Sequence, residues 1–472
     1  MAASTHRDGA CSRRQFVQAT AVGAAGAALG LPGAAGEEGA KQARPRQDEG
    51  VEVLNPRGRV PLSFVIDDST CLVNMGSFCM PQFAEAWPSR ANYKKPWKTW
   101  PREIPDAFVR EFGQWCAAHG VKGKYSVVPY PACVGWLDRE LPGWSRRELL
   151  ASLKLVRELM VPHWDIHPEM ITHTRVIDLA TGRPMEKISS ATMENSYPRE
   201  KKSVDELAAY LAYALRILKN CEIPCEGITT PGGFGNLVKS ELSQAVGQAV
   251  RDVYSAELPH YFKYVSGGKQ STQPKLEHVS GVGTDDVRVV VNIPAGTGDW
   301  FGSWDGDAKP EPDRYANREA TGGRMVELIE RGQPAVMLCH WPGMYTHGTK
   351  EGFKALKRVV TSLAGRFGER TVWMKLSEIG RYWAAKGLTR IERTAAGVAL
   401  AAPFASPQFT VRVKKAKAKA VKLRRGAVAK ALKKVSTPAL LAAGTWLQEA
   451  EGTTACFDLP RGKSALELTG EL

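Results

Sequence analysis

Between residues 60 and 385, short apolar runs alternate with longer stretches in which apolar residues recur every three or four positions. The runs predict strands over 61–68, 122–130, 164–174, 226–233, 286–294, 334–341 and 371–379. The periodic stretches predict helices over 105–120, 145–160, 203–220, 237–250, 321–332 and 351–368. Ser145 with Glu148, and Ser203 with Glu206, have the spacing of capping boxes, and Gly120 stands where a helix would stop. Strands alternating with helices of this length imply βα units and a parallel sheet. About seven of them suggest a closed or nearly closed β/α barrel, whose chemistry gathers at the C-terminal strand ends.

Beyond residue 386 the helical period fades. The segments 397–404, 408–415 and 453–460 read as strands of a small β-sandwich-like accessory domain over 386–472. At the other end, Arg13 and Arg14 precede Phe16, an Ala/Gly-rich segment, and small residues between Ala28 and Gly36. This resembles a twin-arginine export signal over 1–36, followed by a polar linker over 37–58. It implies the twin-arginine machinery as a partner and a periplasmic or extracellular destination. No apolar run is long enough for a transmembrane helix.

The chain has 472 residues, 43% hydrophobic and 24% charged, which is ordinary for a globular protein of about two domains. Its net charge of +15 is uneven. Residues 412–434 form a basic block without aromatic interleaving, which reads as a solvated strand face before it reads as a contact for a polyanion. Past Cys11 the cysteines are scattered with no CxxC pair, so a structural zinc knuckle is not expected. Cys221 and Cys225 flank a turn and could pair in an oxidising compartment, whereas Cys116 and Cys339 read as buried thiols.

The strand ends carry chemistry. Asp67 and Asp68 close the first run, and successive side chains point in different directions, so one can hold a metal while the other takes a proton. At the start and within the third run, His163, Asp165, His167, Glu169 and His173 fall within eleven positions, although the chain has nine histidines in all. Two spacings of four, His163 to His167 and Glu169 to His173, can bring ligands to one centre. His340 leaves a buried run beside Trp341, as a general acid would.

The order of these motifs resembles the polysaccharide deacetylase (NodB-homology) superfamily over roughly residues 60–385. The resemblance implies a partly open seven-stranded β/α barrel over 59–385. It makes Asp67 the catalytic base, Asp68, Glu169 and His173 the metal ligands, and His340 the general acid. His167 becomes a substrate contact or alternative ligand, and Asp299 with Trp300 a loose match to a further motif. Where the superfamily carries an arginine turn, this chain has Thr229 and Thr230 before Pro-Gly-Gly. The implied activity is metal-dependent removal of acetyl groups from a carbohydrate, with Thr230, Asp299, Trp300 and Trp341 as further substrate contacts and Trp304 as a stacking face. Zinc is the first expectation for the ion, with manganese, iron or cobalt admissible. The alternatives are a glycoside hydrolase using Asp67 and Glu169, and a non-catalytic glycan-binding barrel.

Overall fold

A computed structural model of the chain describes residues 44–68 and 71–471. The expected signal over 1–36 and the start of the expected linker lie outside the described residues. The rest of that linker is structured: β1 (Val51–Val53) pairs antiparallel with a strand of the C-terminal region, Val51 opposite Val413.

The strands of the alternating region are β2 (Val60–Asp67), β3 (Gly123–Ser126), β4 (Trp164–His167), β5 (Gly227–Thr229) and β6 (His260–Phe262), then β7 (Lys275–Ser280), β8 (Arg288–Asn292), β9 (Ala335–His340) and β10 (Thr371–Trp373). All eight residues of β2 are buried, as a parallel strand covered on both faces requires. The helices between them are α1 (Met75–Ala86), α2 (Asp106–Ala118), α3 (Arg146–Leu155), α4 (Val204–Asn220), α5 (Lys239–Tyr254), α6 (Arg324–Glu330), α7 (Trp341–Tyr345), α8 (Glu351–Phe367) and α9 (Leu376–Leu388). Both predicted capping boxes are formed, on α3 and α4.

Hydrogen bonding divides the parallel strands into two sheets. One runs β9-β2-β3-β4, with β10 against the first half of β2; the other runs β5-β6-β8, with β7 antiparallel on β8. The sheets touch at seams: Glu169 bridges Thr229, and the Gly296 amide donates to Val336 at 2.8 Å. The strands expected to form a partly open seven-stranded barrel thus lie in two hydrogen-bonded sheets joined at isolated backbone contacts. The last expected strand is also shortened, because the chain turns helical at Leu376, while the three-residue β6 takes an inner place that no sequence pattern announced.

The C-terminal strands are β11 (Arg390–Thr394), β12 (Gly397–Ala402), β13 (Ser406–Lys414), β14 (Lys417–Arg425), β15 (Val428–Ala431), β16 (Lys433–Lys434), β17 (Thr445–Glu449), β18 (Gly452–Leu459) and β19 (Gly462–Glu471). They form two sheets, β1-β13-β18-β17-β16 and β11-β12-β19-β14-β15. This region shares its core with the alternating region: Ile293 and Tyr382 pack in one buried cluster with Phe409 and Phe457. Lys417, Lys419, Lys422, Lys430, Lys433 and Lys434 of the basic block are exposed. All eight described cysteines are free, and Cys225 donates to the Gly227 carbonyl at 3.0 Å instead of pairing with Cys221. Among the described residues no helix is long and apolar enough to cross a membrane.

Candidate metal centre

Asp67 ends β2, and Asp68 follows it with φ at 51°, in the left-handed region. This reversal sends two consecutive carboxylates to different partners. Asp67 turns toward β3, and Asp68 toward the loop that follows β4.

There Asp68, Glu169 and His173 come together, all buried, each offering a ligand atom within 4.8 Å of the others. His173 Nε2 stands 2.7 Å from Asp68 Oδ1 and 3.5 Å from Glu169 Oε1, while Glu169 Oε2 accepts the Asp68 backbone N–H at 2.9 Å. Beyond this close contact with His173, Asp68 Oδ1 is buried with no hydrogen-bond donor among the described residues. Burial opposes protonation of His173, but Asp68 and then Glu169 outweigh it and raise its pKa well above the ordinary histidine range. Two buried carboxylates sharing one imidazole leave the pocket short of positive charge, and a divalent cation fits oxygen–oxygen–nitrogen donors of this kind.

The loop carrying His173 is built around Glu194, which sequence reading missed. Its buried carboxylate accepts the amides of Ile171 at 3.1 Å, Thr172 at 3.1 Å and His173 at 2.6 Å, and the Tyr210 hydroxyl at 2.6 Å. Burial pushes Glu194 up to about 7, against the pull of those donors. The carboxylate holds His173 at φ 63° and so sets the direction of the ring. Phe83 lies 6.2 Å from that ring and 5.4 Å from Trp304, giving the site an aromatic flank.

On the other side, Asp67 Oδ1 accepts the Ser126 hydroxyl at 2.8 Å and pairs with the fully buried Lys124 amine. Burial, then Glu169, raises the Asp67 pKa, and Lys124 holds it down. The positive charge that the resemblance places at the Thr229–Thr230 turn comes instead from β3. His340, at the end of β9, bonds through Nδ1 to Asp299 Oδ2 at 2.7 Å and presents Nε2 3.9 Å from Asp68 Oδ2. Burial lowers its pKa, but Asp68, Asp299 and Asp67 together raise it to about 9.

The remaining expected contacts separate. His167 is fully buried, with Nε2 2.9 Å from His260 Nε2 and Nδ1 3.3 Å from the Thr229 hydroxyl. Alternation along β4 puts His167 on one face with Asp165, whose Oδ2 lies 3.9 Å from His260. Burial depresses both histidines, His260 to about 4. Trp341 is buried among Phe108, Phe112 and Tyr125. Asp299 is engaged by His340. Thr230 is buried, its hydroxyl without a partner among the described residues, and Trp300 is half-buried beneath Arg314, 4.3 Å from the ring.

No protein family and no curated protein matches the sequence. Among solved structures, the chain is similar to a CE4 family pseudoenzyme from Bacillus anthracis, at 13% identity over 69% of this chain and 66% of that one, with a TM-score of 0.29. It is also similar to a candidate glycoside hydrolase/deacetylase from Parabacteroides distasonis, at 12% identity over 85% and 89% of the two chains, TM-score 0.39. A third is a GH57-type branching enzyme from the archaeon Pyrococcus horikoshii, at 12% identity over 67% and 69%, TM-score 0.27. These scores assign no family, and the functional reading rests on the site itself.

Proposed function

We propose that the chain is a metal-dependent hydrolase that removes acetyl groups from an exported or cell-envelope carbohydrate. The observation that carries this reading is the buried Asp68–Glu169–His173 cluster, flanked by the Asp67 carboxyl and the His340 imidazole. A divalent ion held by the three ligands, zinc first and manganese, iron or cobalt by the same donors, supplies Lewis acidity toward an acyl carbonyl and water.

The chain's own groups then divide the proton work. With Oδ1 of Asp67 occupied by Lys124 and Ser126, Oδ2 takes a proton from water as the water oxygen bonds to the acyl carbon. His340 gives its Nε2 proton to the departing oxygen or nitrogen as the bond to the acyl carbon breaks, and Asp299 stabilises the ring while it is charged. Acetate and a free hydroxyl or amine result. The half-buried Trp304, backed by the buried Phe83, offers a face on which a sugar ring can rest.

Elemental analysis of the purified untagged chain, followed by acetate release from acetylated chito- and xylo-oligosaccharides, tests this reading. About one equivalent of transition metal and metal-dependent acetate release are expected. Absence of metal after reconstitution overturns it, as does production of new reducing ends without acetate, which is the glycosidase outcome.

A further inference from the structure

We infer that Lys124, aided by Ser126, is the positioning residue that reserves Asp67 as a base and keeps it out of the metal site; this rests on the reading of Asp67 given above. Lys124 is fully buried in the middle of β3, and among the described residues its ionic partner is Asp67. Its amine also lies 5.3 Å from the centre of the Phe262 ring, so the charge is fixed from the side of the second sheet as well. Ser126, two residues further on the same face of β3, reaches the same oxygen, and the Lys124 amine donates to its hydroxyl at 2.7 Å. Both donors select Oδ1, and among the described residues no hydrogen bond is made to Oδ2.

The need for such a device follows from the sequence. Asp67 is bonded to Asp68 in the chain and feels Glu169 as a neighbouring charge, so a third carboxylate stands beside the cation site formed by Asp68, Glu169 and His173. A cation placed there would draw in all three carboxylates unless one were already neutralised. Lys124 neutralises Asp67, and the ion is left to Asp68, Glu169 and His173.

The test uses the full chain loaded with cobalt(II), comparing wild type with Lys124→Met and Lys124→Arg by visible spectrum and by acetate release from acetylated chito-oligosaccharide. Lys124→Met is expected to lower kcat about 100-fold, the scale of general-base assistance, with KM little changed and metal content retained. Its cobalt spectrum is expected to shift as Asp67 joins the ion, and Lys124→Arg is expected to restore both readouts toward wild type. A Lys124→Met chain with wild-type kcat, or with a loss confined to KM, overturns the inference. Should wild type release no acetate from any substrate, the functional reading fails on its own and the cobalt spectrum alone judges Lys124: a shift supports the role, identical spectra overturn it. If Lys124→Met does not fold, Ser126→Ala takes its place, with a drop of about tenfold in kcat at constant metal content expected and an unchanged kcat overturning.

Discussion

His340 Nδ1 and Asp299 Oδ2 stand 2.7 Å apart, although forty residues of chain and a helix separate them. This bond fixes which ring nitrogen faces the site and helps raise the His340 pKa to about 9. The acid form is lost as pH rises through the His340 pKa, and a cation on Asp68, the first of the raising charges, would bring that pKa down. Asp299→Asn removes one of the raising charges, so the alkaline limb of the pH–rate profile should move toward neutral pH. An unmoved limb would mean that His340 is not the group titrating there.

Asp68→Ala should remove metal from the purified protein, because it deletes the ligand that faces both His173 and His340. The loss should exceed the ~10–100-fold typical of supporting groups. Isothermal titration with zinc or cobalt measures it, and stoichiometric metal in that variant would sink the ligand assignment.

Glu194→Ala should weaken metal binding about 10–100-fold without touching a ligand, because three amides of the His173 loop lose their acceptor. Leaving buried N–H groups unpaired should also cost about 1–3 kcal/mol for each that water cannot reach. Thermal unfolding and metal titration read the two effects separately.

Gly227→Ala tests the histidine pair behind the site. A Cβ at residue 227 would lie 2.3 Å from His167 Nε2 and 2.8 Å from His260 Nε2. Overpacking of this kind costs about 1–3 kcal/mol. Unfolding by urea should show that loss, with metal stoichiometry unchanged, since neither ring belongs to the ion's ligands.

Much of the site was legible because strand ends announce themselves. An apolar run that stops at Asp67, or at His340, marks both the element and the side chain that leaves it. The Glu169–His173 spacing likewise brought two side chains of one loop together. What stayed hidden depends on contacts between distant segments or on weak local pattern. Lys124 reads as a polar break in a strand until Asp67 is placed beside it. Glu194 sits in an irregular turn with no period to betray it. Helix α1 contains Pro81 and buries residues on several sides, so it lacks a clean amphipathic stripe. Strand β6 is three residues long, too short for alternation to register.

The pairing of Val51 with Val413 has a consequence for how the protein comes into being. The first described strand leaves the ribosome long before its partner β13 exists, and β13 must in turn await β18 to be flanked on its other side. Such long-range closure is slow, and the strand is exposed until it occurs. Gene truncations that end near residue 385 should thus yield insoluble product rather than a minimal enzyme, because Tyr382 and Trp383 would lose the wall formed by Phe409 and its neighbours.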